Sequence, residues 1–150
     1  MTRANISQIS EAVSECFAGD EGVVAVYLFG SLAKGGHRPD SDVDLALLMR
    51  TDFDYLENFD HLLSATSRLE DLLGRSVDVV YLNTADPVLQ YEVRKGGVRL
   101  LEKDRAARVE WEVTSRKLWF DRQPAHALYM RRMAERLRSE IRDGGQSDRR

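Results

Sequence analysis

The chain has 150 residues and a net charge of −3, with 43% apolar and 31% charged residues. This length corresponds to about one domain, and the composition is that of an ordinary globular protein rather than of a disordered or low-complexity chain. Because no stretch approaches the roughly 20 apolar residues of a membrane span, we expect no contact with a membrane.

The N-terminal segment has the periodicity of a helix. Apolar side chains recur at steps of three and four residues, at Ile6, Ile9, Val13, Cys16 and Phe17. This spacing predicts an amphipathic helix that covers a sheet. Cys16 is the only cysteine, which excludes a disulfide within the chain, and the first seven residues lack the apolar core of a secretory signal. Both features favour a cytoplasmic location.

A buried strand and a glycine turn follow. Residues 23–29 form a continuous apolar run that ends at Gly30, which is typical of a strand buried on both faces. Gly30 and Ser31 predict a turn at which the backbone can approach a phosphate closely. The N–H groups that open a short helix at Ser31 are suited to hold an anion.

Two aspartates begin the next strand. Asp42 and Asp44 alternate with apolar residues, so their side chains leave the same face of the strand about 7 Å apart. Such carboxylates repel each other unless a cation neutralises them. Magnesium prefers oxygen ligands and is held by one or two carboxylates together with water and substrate phosphates. The stretch from Gly30 to Asp44 therefore predicts a site for a metal ion and a triphosphate.

These residues resemble a known signature. Gly30-Ser31, ten intervening residues and Asp42-Val43-Asp44 are similar to the motif of the DNA polymerase β-like nucleotidyltransferases. The stretch from Arg38 to Leu45 resembles the minimal (MNT) branch, to which antitoxins paired with HEPN-domain toxins belong. The similarity covers roughly residues 23–103. It implies an α+β fold in which helices pack on a small mixed sheet.

The loop before Asp42 contains Lys34, His37 and Arg38. Arg38 is placed to clamp a triphosphate oxygen with two hydrogen bonds. Solvation at the surface is the alternative explanation for each of the three. We assign no role to His37, because neither His61 nor His126 stands at a metal-ligand spacing from it.

Leucines at helical spacing follow the second strand. The apolar positions predict one packing helix with Gly74 at its C-terminal end, and they are Leu56, Phe59, Leu62, Leu63, Thr66, Leu69, Leu72 and Leu73. His61 lies just off this stripe, and we predict that it is a surface residue.

The third strand, residues 76–82, contains a single aspartate, Asp78. A charge inside an apolar strand is costly unless it has a partner. If this strand lies beside that of Asp42 and Asp44, the three carboxylates form a cluster able to hold two metal ions about 3.5–4 Å apart. In the resembled superfamily a third carboxylate occupies such a strand, and Asp78 matches it. The alternative is an edge-strand aspartate that faces water.

The rest of the chain predicts further elements of the same domain. Asp86-Pro87 begins a short helix, and residues 98–101 form a strand that completes a sheet with helices on one side. We predict a core at residues 1–104, a helical extension at 105–141 with a break near 121–124, and a disordered tail at 142–150.

Charge is distributed unevenly along the chain. Residues 1–93 contain 6 Lys and Arg against 16 Asp and Glu, whereas residues 94–150 contain 16 against 9. A solvated helix face with pairs such as Arg136 and Glu140 explains the basic third. A surface that binds an acidic protein or nucleic acid phosphates would also explain the basic third. The aromatic residues of this segment fit either a core or a partner interface.

The residues and the resemblance together predict an enzyme that transfers AMP from ATP to a hydroxyl. The predicted catalytic residues and ligands of two magnesium ions are Asp42, Asp44 and Asp78, and the predicted ATP-binding residues are Gly30, Ser31 and Arg38. The resemblance implies that the hydroxyl belongs to a tyrosine of a cognate HEPN toxin, with which the chain would form a hetero-oligomer.

The acceptor is the least determined part of this prediction. The chain has no room for an added acceptor domain, which favours a protein acceptor over direct binding of a long nucleic acid. Two alternatives stay open: a small-molecule nucleotidyltransferase of the aminoglycoside-modifying type, and a non-catalytic antitoxin that binds its toxin stoichiometrically.

Overall fold

The computed structural model of the protein describes residues 2–35 and 42–147, and side chains within residues 6–35, 42–121 and 128–142. The fold is α+β, as predicted. In chain order the elements are α1 (Thr2–Phe17), β1 (Val23–Phe29), β2 (Val43–Met49), α2 (His61–Leu73), β3 (Val77–Tyr81), α3 (Pro87–Gly96), β4 (Val98–Glu102) and α4 (Arg105–Ser147).

The chain forms two compact units, Met1–Ser115 and Arg116–Arg150. The first unit contains the four strands, α1 to α3 and the beginning of α4. The second unit contains the remainder of α4. The predicted core of residues 1–104 therefore lies within the first unit.

The four strands form one mixed sheet in the order β3-β2-β1-β4. β1 pairs antiparallel with both β2 and β4, whereas β2 pairs parallel with β3. A parallel pair needs a long crossover connection, and α2 supplies it between β2 and β3. The two central strands are β1 and β2, which explains why both are apolar along almost their whole length.

Helices cover both faces of this sheet, so the prediction of helices on one side is wrong. Leu45 and Leu47 face a core that includes residues of α1 and α2. Ala46 and Leu48 face a second core that includes Val93 of α3 and is packed by the first turns of α4. The physical reason is that β2 is apolar on both faces beyond Asp44, and each face must be removed from water.

The predicted N-terminal helix is confirmed as α1. Its side chains Ile9, Val13 and Phe17 are each at most 1% exposed in the first core. Cys16 is half-buried beside them, and this burial raises the pKa of its thiol. Within the described residues, no helix is both long and apolar enough to cross a membrane.

The segment before α2 departs from the predicted packing helix. The helix begins at His61 rather than near Leu56, because the side chain of Asp54 accepts hydrogen bonds from the N–H groups of Leu56 and Glu57 and closes a separate turn. Leu69 is buried as predicted, but several other apolar side chains are not. Gly74 ends the helix in the left-handed conformation, as predicted, with a φ of 62°.

α4 is continuous from Arg105 to Ser147. The predicted break near residues 121–124 is therefore wrong, and the segment from 142, predicted to be disordered, is helical as far as Ser147. Residues 148–150 lie outside the described chain. An interior proline removes one helical hydrogen bond, but residues of high helix propensity flank Pro124 on both sides and continue the helix.

An arginine fastens the beginning of α4 to the sheet. Arg108 is only 8% exposed and donates hydrogen bonds to Glu102 of β4 at 2.5 Å and to Glu112, one helical turn further on, at 2.6 Å. The bond from Arg108 lowers the pKa of Glu102.

Candidate active site

The parallel pairing of β2 and β3 brings two of the three predicted aspartates together. Asp44 and Asp78 are direct register partners on these strands, and neighbouring strands lie about 4.8 Å apart. Asp42 precedes β2 by one residue and stands two positions from Asp44. Asp44 belongs to the same alternating series as Ala46 and Leu48. The carboxylates therefore stand at one end of the sheet face that α3 and the beginning of α4 cover elsewhere.

The electrostatics of this cluster favour a cation. The pKa of the Asp44 carboxyl is raised, first by its burial and then by the negative charges of Asp78 and Asp42. The charges of Asp78 and Asp42 therefore oppose the ionisation of Asp44, and a positive ion beside these carboxylates would remove that conflict.

The donor set fits magnesium. Carboxylate oxygens are hard ligands, and magnesium needs only one or two of them at a site because water and phosphate complete its shell. Within residues 2–35 and 42–147, no three His, Cys, Asp or Glu side chains already stand together as ligands of one ion. An ion held by these aspartates would therefore take part of its shell from water and phosphate.

Gly30 is required at its position by the carboxylate beside it. Its φ is +76°, in the left-handed region that side chains other than glycine rarely adopt. Phe29, the preceding residue, is the register partner of Asp44. A Cβ atom at Gly30 would overlap the Oδ2 atom of Asp44. The glycine of the Gly-Ser motif thus lets the turn approach the carboxylate cluster.

The segment after Gly30 is a turn rather than the predicted short helix. The N–H of Lys34 donates to the carbonyl of Gly30, and that of Gly35 to the carbonyl of Leu32, both at 3.3 Å. Leu32 is buried and anchors the turn, while Ser31 is exposed. Arg38 and His37, predicted as a phosphate clamp and a residue without a role, lie outside the described residues.

A polar constellation on the opposite face of the sheet was missed. The Nε2 atom of His61 lies 2.5 Å from the Asp20 carboxylate, and its Nδ1 atom lies 2.8 Å from the Tyr81 hydroxyl. The prediction that His61 is a surface residue is wrong, because its side chain is only 18% exposed. Both ring nitrogens are engaged, so His61 serves to join α2 to β3 and to the turn before β1. The local sequence pattern does not indicate these contacts, because the two partners of His61 lie 20 and 41 positions away from it in the chain.

The model of the family described as "Polymerase beta, Nucleotidyltransferase" matches residues 11–106, which include the Gly-Ser turn and all three aspartates. The chain belongs to this family. The predicted relationship is confirmed, and the protein is a nucleotidyltransferase. A search of curated proteins gives no match.

Solved structures resemble this nucleotidyltransferase in fold. A toxin–antitoxin structure with AMP-PNP is 23% identical over 81% of this chain and 98% of its own, with a TM-score of 0.60. The toxin–antitoxin MntA-HepT is 22% identical over 81% and 97%, with a TM-score of 0.55. A complex of tri-AMPylated Shewanella oneidensis HEPN toxin with MNT antitoxin is 23% identical over 87% and 99%, with a TM-score of 0.55.

Proposed function

We propose that this nucleotidyltransferase is the antitoxin of a HEPN toxin and inactivates it by transferring AMP from ATP to a tyrosine hydroxyl, with magnesium. The observation that carries the proposal is the pairing of Asp44 with Asp78, with Gly30 packed against the Asp44 carboxylate. The proposal is supported by fold similarity to a complex that contains AMP-PNP and to one that contains an AMPylated HEPN toxin.

The three aspartates would divide the chemistry between them. Asp42 and Asp44 would hold both magnesium ions, and Asp78 would complete the site of one of them. Magnesium held there would supply positive charge to neutralise the triphosphate and the charge that develops during transfer. Asp78 takes the proton of the incoming tyrosine hydroxyl. The hydroxyl oxygen forms a bond to the α-phosphorus while the bond to the β-phosphate oxygen breaks, so that pyrophosphate leaves.

The turn would orient the nucleotide. Backbone N–H groups at Gly30 and Ser31 would hold the β- and γ-phosphates, because glycine lets the chain come close to them. Arg38, as predicted, would contact a triphosphate oxygen. Catalysis on this scheme consists mostly of positioning and charge neutralisation.

The test is a transfer assay with purified components. The chain is incubated with labelled ATP, magnesium and a HEPN toxin, and the toxin is measured by intact-mass spectrometry. We expect mass gains in units of AMP that map to tyrosine and disappear when ATP or magnesium is withheld. Toxin that is silenced without any mass gain would instead indicate a stoichiometric binder. An aminoglycoside supplied in place of the toxin tests the small-molecule alternative.

A further inference from the structure

An acidic segment of the first unit exposes three apolar side chains. Leu56, Phe59 and Leu63 are 90%, 71% and 68% exposed. Residues 51–63 contain four carboxylates and no lysine or arginine. Exposed apolar side chains grouped within a polar rim are typical of interaction sites. We call this surface the acidic face; it consists of Leu56, Phe59, Leu63, Glu57 and Asp60.

The second unit presents a surface of opposite charge. Residues 116–142 contain 8 Lys and Arg against 3 Asp and Glu. On α4, Tyr129, Met133 and Leu137 are 60%, 43% and 54% exposed, and they line one groove together with two arginines and one glutamate, Glu140. We call this surface the basic face; it consists of Tyr129, Met133, Leu137, Arg132 and Arg136.

The charged groups of both faces form no ion pair with another residue that the structure describes. Among the described residues, no ion pair engages Arg132, Arg136, Glu57 or Asp60. Arg136 and Glu140, one helical turn apart, do not form the pair that their spacing allows. This part of α4 is therefore not a solvated face whose charges pair with one another.

An apolar stripe on a helix is itself a reason to expect a partner. Most helical stability in proteins comes from packing of an apolar face rather than from helix propensity. Aromatic residues, methionine and arginine are also the residues enriched at protein interfaces. The basic face has this composition and lacks a cover among the described residues.

We propose that the basic face of one copy of this chain docks on the acidic face of a second copy, reciprocally, in a twofold dimer. The charges are complementary, whereas two basic faces placed together would repel each other. In a twofold dimer the basic face of each copy contacts the acidic face of the other, so the same contact occurs twice. This doubling helps the dimer approach the roughly 1,000 Å² expected of a specific interface.

The experiment measures the oligomeric state of the full chain by sedimentation velocity over a range of concentrations. We expect a monomer–dimer equilibrium that weakens as salt is raised, because both faces are exposed to solvent. The double variant Arg132→Glu with Arg136→Glu should dimerise roughly tenfold or more weakly, as should Glu57→Lys with Asp60→Lys. The side chain of Asp60 forms no cap hydrogen bond, so its replacement spares the helix end.

The decisive measurement is whether dimerisation recovers when the two double variants are mixed. In an equimolar mixture of the two double variants, the heterodimer pairs the two reversed faces with each other and the two unchanged faces with each other. Both contacts are then complementary again, so the mixture should dimerise where neither variant does so alone. The matched control, Arg116→Glu with Lys117→Glu, changes charge by the same amount on exposed positions of α4 outside the groove and should dimerise like the parent.

Several outcomes overturn the proposal. A chain that sediments as a monomer at every concentration and salt level has no such interface. A dimer that survives both double variants uses another surface. Association that appears only when a separate acidic protein is added assigns the basic face to that protein instead. Since none of these measurements involves ATP, failure here is distinct from failure of AMP transfer.

Discussion

Asp44 is a side chain whose charged form the surrounding structure opposes, since the pKa of its carboxyl is raised. Burial and the neighbouring charges of Asp78 and Asp42 act on it in the same direction. Perturbed ionisable groups of this kind cluster at functional sites, which supports the metal-binding role proposed for Asp44.

Replacing Asp44 should separate activity from stability. We expect Asp44→Asn to lower AMP transfer by roughly a hundredfold or more, because losing a metal ligand removes several kcal/mol of transition-state stabilisation. The free energy of unfolding should stay level or rise, since the variant relieves repulsion. Transfer rates and urea unfolding check this, with Asp71→Asn on the exposed side of α2 as control. Transfer at the parent rate would reject the metal assignment.

Gly30 can be tested against another glycine of the same conformation. Gly30→Ala should be destabilising by more than the about 1–2 kcal/mol of a left-handed non-glycine residue, because its Cβ also overlaps Asp44. Gly74→Ala has a similar φ but open space around its Cβ, so it reports the backbone cost alone. Urea unfolding of both variants gives the difference. Equal losses of unfolding free energy in the two variants would show that the Asp44 carboxylate moves aside without a cost in stability.

Tyr81 gives the protein a predictable alkaline sensitivity. Burial, then Tyr55 and Asp20, raise its pKa to about 12, whereas an unfolded tyrosine ionises near pH 10. Because the folded state retains the proton longer, this contribution to stability is complete below pH about 10 and is lost as pH rises towards 12. We expect unfolding free energy to fall more steeply over this range in the parent than in Tyr81→Phe. Equal slopes of unfolding free energy against pH in the parent and in Tyr81→Phe would contradict the raised pKa of Tyr81.

At the level of elements, Arg108 links β4 to α4. We expect Arg108→Gln to lower the melting temperature clearly more than Arg105→Gln, an exposed neighbour on the same helix, because it leaves Glu102 and Glu112 without their donor. The Glu102 pKa is lowered in the folded state, so the stabilisation is present above the ordinary glutamate pKa and is lost as pH falls below it. Thermal melts from pH 7 to acid values check both statements.

Elements whose signals are local were predictable from the sequence. The apolar run of β1, the alternation in β2 and the glycine after α2 each report a preference of a few neighbouring residues. The adjacency of Asp44 and Asp78 was predicted only on the condition that their strands lie side by side, which they do. The alternative, an edge-strand aspartate that faces water, also describes Asp78, because β3 is at the edge of the sheet and Asp78 is exposed.

Features set by distant residues were not predictable. The His61 constellation joins residues 20 and 41 positions away, and α2 starts late because Asp54 closes its own turn. α4 continues through Pro124 although a single proline usually ends or kinks a helix. The second helical layer required knowing that β1 and β2 are both central. The position of Arg38 stays a prediction.

At the scale of the whole molecule, a catalytic antitoxin and a stoichiometric binder differ in the number of toxin molecules that each copy can inactivate. If the proposed function holds, a trace of this protein with ATP and magnesium should silence a large molar excess of HEPN toxin, because the modified toxin stays inactive after release. Omitting ATP should remove the effect. Titration of toxin activity against antitoxin concentration checks this, and protection that stops at equimolar protein and persists without ATP would contradict it.

The half-buried state of Cys16 makes this protein convenient for spectroscopy. Maleimide reagents attack the thiolate, and a raised thiol pKa together with limited access slows that reaction. A cysteine introduced at an exposed site such as Ser139 would be labelled first near neutral pH, without prior removal of the native one. A single spin label on α4 would then report its mobility and, in a mixture of labelled copies, the distance between them.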